Sequence, residues 1–107
     1  MYFDRLKEEV KGVGFDLLRV DSDDYLEAVV LKDRIERITG ILKSFLGMPV
    51  WPSNKKLPTH ITVIIEEYGG VMANQALYFY REDEGIVFAM LWPWQDGVHT
   101  TLKMAQK

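Results

Sequence analysis

Residues 75–104 read QALYFYREDEGIVFAMLWPWQDGVHTTLKM, and the fold turns on them. Segments 77–80 and 86–92 are dense in the aromatic and β-branched side chains that suit a pleated surface. Turn-forming residues bound them too closely for buried helices. The stretch therefore predicts three antiparallel strands, over 75–81, 86–92 and 98–104, joined by turns at 82–85 and 93–97. Pairing Arg81 with Ile86 sets Phe79 opposite Phe88 and Leu77 opposite Met90. Carrying the ladder across the second turn, with Trp92 opposite Val98, sets Phe88 against Leu102 and Ile86 against Met104. One face is then apolar throughout, as a period of two requires. The middle strand is apolar on its other face too, through Val87, Ala89 and Leu91, which marks a central strand covered on both sides. Phe88, with an apolar partner in each ladder, is the expected centre of the core.

Working back towards the N-terminus, Phe3, Leu6 and Val10 share one face of a first helix over 2–11, stopped by Gly12 and Gly14. Residues 15–31 admit two readings. Segments 15–20 and 25–31 flank Asp21-Ser22-Asp23-Asp24 as a hairpin would; alternatively, Asp24 with Glu27 opens one long helix as a capping box. Leu31, Ile35, Ile38, Leu42 and Phe45 form a helical stripe, and Leu26 and Val30 would fall on its opposite side. Periodicity thus favours a hairpin followed by a helix over 34–46, opened by Asp33 and Glu36. Three prolines in 48–58 favour an extended connection with Val50, Trp51 and Leu57 tucked down. Residues 59–68 pull between a strand, from their β-branched run, and a helix. Ile61, Ile64, Ile65 and Tyr68 keep helical spacing, with Thr59 as a cap and Gly69-Gly70 as the stop, so the pattern favours helix. The expected fold is α+β within one domain spanning 1–107: helix, β-hairpin, one or two helices, then a C-terminal three-stranded antiparallel meander.

Composition removes several classes of function. There is no cysteine, hence no disulfide framework, thiolate-held metal or thiol nucleophile. Thirteen basic against sixteen acidic residues give a net charge of −3, which offers no general attraction to nucleic acid or anionic membrane. No apolar run approaches the ~20 residues of a membrane-spanning helix, and the charged N-terminus lacks a signal-peptide core. A cytoplasmic protein is expected, without cofactor or metal.

Candidate chemistry is sparse. His60 and His99 have no sequence neighbour that makes a catalytic pair. Asp21-Ser22-Asp23-Asp24 has the carboxylates of a calcium loop but no glycine at its sixth position, and Lys32 at the twelfth. Glu66 and Glu67 diverge on either a helix or a strand. Gly69-Gly70 lacks a phosphate-binding context, and Lys55-Lys56 beside Trp51 is too small a basic patch for nucleic acid. The exception is Trp92-Pro93-Trp94-Gln95-Asp96-Gly97, where two tryptophans flank a proline at a hairpin end that Asp96-Gly97 alone would close. Trp92 continues the inward row, beside Val98. Trp94 lies past the proline, and with Gln95, Asp96, His99 and Trp51 it forms the candidate ligand- or partner-binding set. Both indole N–H groups of the loop are expected to find backbone acceptors if the rings merely cap the core. Tyr78, Tyr80, Val87 and Leu91 form a candidate association face if helices cover only one side of the sheet. The leading expectation is a non-catalytic binding or protein-interaction module, with self-association or a protein partner. The alternative is a small enzyme or enzyme subunit using the 92–97 hairpin end as a pocket wall.

Overall fold

The computed structural model describes residues 2–53, 55–83 and 85–107. Asn54 of the proline-rich connection and Glu84 of the first meander turn lie outside the described residues. The order is α1 (Tyr2–Val13), β1 (Leu17–Asp21), β2 (Tyr25–Leu31), α2 (Ile35–Leu46), α3 (Thr59–Glu66), β3 (Ala76–Glu82), β4 (Gly85–Pro93) and β5 (His99–Gln106). The five strands make one sheet in the order β1-β2-β5-β4-β3, with every neighbouring pair antiparallel. The α+β architecture, the N-terminal hairpin and the helix over 59–66 agree with expectation.

The β3–β4 register is the expected one: Arg81 pairs with Ile86, Phe79 with Phe88 and Leu77 with Met90. The β4–β5 register is not. Phe88 faces Ala105, Ala89 faces Met104, Leu91 faces Leu102, and Trp92 faces Thr101 rather than Val98. The offset from the expected ladder is odd, so it turns Leu102 and Met104 onto the opposite face of the sheet. The hydrophobic side chains therefore divide between two layers. Against one face, α1 (through Phe3, Leu6, Val10 and Val13) and α2 (through Ile38, Leu42 and Leu46) pack onto Leu26, Ala28, Val30, Tyr78, Val87, Ala89, Leu91, Leu102 and Met104. Against the other, Ile61 and Ile65 of α3 pack onto Leu77, Phe88, Met90 and Ala105, with Val50, Trp51, Leu57 and Tyr68 around them. Strand β4 is central and covered on both sides, as its doubly apolar sequence requires. Phe88 is fully buried, with Tyr68 edge-on at 5.1 Å and Phe79 stacked at 6.3 Å.

Local signals at the helix ends need three corrections. Gly12 is helical, and α1 ends at Gly14, whose φ of 94° admits glycine readily. The guanidinium of Arg34 donates to the Val13 carbonyl there. Asp33 and Glu36 form no capping box; a 3-10 turn over Lys32–Arg34 leads into α2, and Arg34 is its N-cap without a side-chain hydrogen bond. Pro58, not Thr59, is the N-cap of α3. The far end of α3 behaves as expected: the Gly70 amide donates to the Ile65 carbonyl at 2.9 Å. Gly69 has a φ of 105°, and a Cβ there would run into the Trp92 ring.

Candidate interaction surface

Strand β1 lies at the sheet margin with β2 as its one strand neighbour among the described residues. All five of its residues are exposed, and none belongs to either core. Leu17, Leu18 and Val20 are 51%, 44% and 40% exposed, a cluster of large aliphatic side chains on a five-residue strand. The cause is geometric: the helices sit over β2 to β5, and β1 projects past both layers. A bulge between Leu18 and Val20 interrupts its pairing with β2. The bulge sends the Arg19 side chain back over the sheet, where its Nη1 lies 3.4 Å from Glu27 Oε2.

The hairpin end joins this strand. The Arg19 guanidinium lies 5.8 Å from the centre of the Trp94 ring. Trp94 is 39% exposed, and its indole Nε1 donates to Thr101 Oγ1 at 2.9 Å. Its ring sits 4.8 Å from that of His99, tilted by 33°. His99 Nδ1 is 2.6 Å from Asp96 Oδ2, and its Nε2 is 3.5 Å from Asp16 Oδ2, on the residue just before β1. Asp96 also organises its own turn: its Oδ1 accepts the Val98 amide at 2.9 Å and the His99 amide at 3.1 Å. The Val98 amide, then the His99 side chain and amide, draw the Asp96 carboxyl down to about 2. A depression of about 460 Å³ lies alongside, lined by Lys32, Asp33, Glu36, Trp94, Val98 and His99 among others.

The structure thus brings Trp94, Asp96 and His99 together, with Gln95 exposed at the tip. It adds Asp16 and Arg19, which spacing along the chain did not disclose because β1 reaches the hairpin end only through the folded sheet. Trp51 stands apart. It bridges to Leu77 on β3, donates Nε1 to the Met72 carbonyl at 3.0 Å, and lines a separate cleft of about 240 Å³ with Leu57, Ile65 and Val71. Trp92 packs into the α3 layer beneath Lys103, whose amine is 3.7 Å from its ring centre, and not beside Val98, which is exposed. The indole acceptors differ from expectation as well: Trp94 uses a threonine hydroxyl, and the buried Trp92 Nε1 has no partner among the described residues. Tyr78, Val87 and Leu91 of the candidate association face are buried beneath α1 and α2, so this chain covers that face itself. Tyr80 remains at its margin, stacked on Tyr2 at 5.1 Å.

As chemistry, the cluster is an imidazole between two carboxylates. One acid lies on each ring nitrogen, so both cannot join the ring on a single metal ion through the same nitrogen. Among the described residues no group of three potential ligands converges. The nearby hydroxyl of Thr101 is engaged by Trp94, and none among the described residues hydrogen-bonds the imidazole to form a nucleophile–base pair. Lys103 donates to the Tyr68 carbonyl at 2.8 Å, and burial holds its amine below the ordinary lysine range. No described helix is long and apolar enough to cross a membrane. The exposed β1 strand and the hairpin end beside it form the most anomalous surface, and comparison with protein-family models, curated proteins and solved structures returns no match to this chain.

Proposed function

We propose that this chain is a non-catalytic protein-interaction module that receives an extended segment of a partner along the free edge of β1. The observation that carries this is the exposure of all five β1 residues, three of them large and aliphatic. An unpaired edge presents backbone donors and acceptors to any extended chain, and exposed side chains on alternate faces supply contact area. The Trp94 and His99 rings, tied to β1 through Arg19 and Asp16, extend the surface at one end. The bulge limits flush pairing to a short segment, which favours a bounded partner over open-ended stacking of sheets.

Selection of short random peptides on the immobilised chain tests this. Selected peptides are expected to shift the backbone resonances of 17–21 most strongly. The double variant Leu18→Lys/Val20→Lys, which adds charge as natural edges do, should weaken them at least about tenfold, or about 1.4 kcal/mol. Its own stability should change by no more than about 0.5 kcal/mol per site, as for ordinary surface changes. Peptides that map to another surface, or that bind the double variant unchanged, contradict the proposal.

A further inference from the structure

The charges around β1 narrow the partner. At one end stand Asp16 and Asp96, on either side of His99, with both carboxylate side chains more than two-fifths exposed. At the other end is the turn Asp21-Ser22-Asp23-Asp24. Lys7 at 2.9 Å and Lys11 at 2.7 Å neutralise Asp21. Asp23 and Asp24 remain exposed without a cation within ion-pair distance among the described residues; Asp24 accepts from the Ser22 hydroxyl at 3.2 Å. Between these ends lie the aliphatic side chains of Leu17, Leu18 and Val20. The cation of the strand, Arg19, is turned back towards Glu27 and Trp94. The edge is therefore apolar at its centre and acidic at both ends.

From this we infer that the segment received by β1 is a peptide with an aliphatic centre flanked by lysine or arginine on both sides, and is not a second copy of this chain. The inference rests on the edge-pairing function proposed above. Two copies pairing through β1 in the antiparallel sense would lay the Asp16 end of one against the 21–24 turn of the other. Parallel pairing would lay each acidic end against its own kind. Both arrangements put like charges across the pair, which is destabilising in a sheet. A basic-ended peptide meets opposite charge at each end in either orientation. Each exposed pair contributes little, but several together set partner choice and the rate of encounter.

Three synthetic peptides test it, all with an alternating valine–threonine centre: one with lysines at both ends, one with glutamates there, and one with lysines but a central proline. Fluorescence anisotropy measures affinity, and amide chemical shifts locate binding. The lysine-ended peptide should bind at least about tenfold tighter than the glutamate-ended one, with the largest shifts at 17–21. The gap should shrink with added salt and in the Asp23→Asn/Asp24→Asn variant, whose fold is checked by thermal melting. Equal binding of both at β1 overturns the charge inference and leaves the edge function standing. Binding that spares β1 for every peptide, or that tolerates the central proline, removes the edge function as well. A concentration-dependent dimer that protects β1 replaces the peptide with a second copy.

Discussion

Strands β3 and β1 both lie at the margin of the sheet, but the chain finishes them differently. Along β3, the connection between α2 and α3 folds back so that Val50 and Trp51 donate to the Leu77 carbonyl and the Leu77 amide donates to the Trp51 carbonyl. Trp51 then packs into the α3 layer. Along β1 no described segment does this, and Leu17, Leu18 and Val20 stand in solvent. The β3 edge is closed at Leu77 by the protein's own backbone and an aromatic lid; the other is left with a bulge and a single arginine as its guard. The exposed aliphatic cluster at β1 therefore has no counterpart at the start of β3, where Leu77 is fully buried.

The largest effect should come from within the closed side. Phe88→Ala, beneath α3 at full burial, should cost about 3–5 kcal/mol. A loss under about 1 kcal/mol in denaturant melts would mean that the α3 layer is not a packed core. Next, Trp51→Ala removes the lid and should cost about 2–3 kcal/mol, less than a fully buried aromatic because Trp51 is half-buried. It should also speed amide exchange at Leu77, making the β3 edge resemble β1; unchanged exchange there would show that the prolines alone seal it. Smaller still is Trp94→Ala, on the open side, at under about 1 kcal/mol. A cost matching that of Trp51→Ala would make Trp94 a structural lid and not a part of the exposed surface.

The smallest effect is a pH dependence. The Asp96 carboxyl is drawn from 3.8 to about 2 by the Val98 amide, the His99 imidazole and the His99 amide. A folded value depressed in this way gives a contribution that is whole above about pH 4 and fades as pH falls towards 2. The stabilities of the natural chain and of Asp96→Asn should therefore differ at neutral pH and converge in strong acid. Parallel acid titrations would show that the turn does not depend on the carboxylate.

What the sequence disclosed follows the same physics. The β3–β4 register was legible because a very short turn ties Glu82 to Gly85 and leaves little room for slippage. The β4–β5 register was not, because β4 is apolar on both faces and its pattern is satisfied by odd or even offsets alike. The deciding fact, a second helical layer that needs Leu102 and Met104, is tertiary. The turn itself is also tighter than the 93–97 reading, since the Trp94 amide donates to the His99 carbonyl at 2.8 Å. Trp94, Asp96 and His99 could be grouped from their closeness in the chain. Asp16 and Arg19 could not, and neither could the exposure of Leu17, Leu18 and Val20, which lie in the segment read only as one arm of a hairpin. Their exposure depends on where the helices stop, which no local pattern records.

If β1 is the receiving edge proposed above, the β3 edge, closed at Leu77, should not compete for the same peptide. Amide hydrogen exchange, measured with and without the lysine-ended peptide, distinguishes the two edges. New protection is expected within Leu17–Asp21 on adding peptide, with none gained at Leu77. Protection gained at Leu77 instead, or none gained within Leu17–Asp21 when the peptide is saturating, would rule out β1 as the receiving edge.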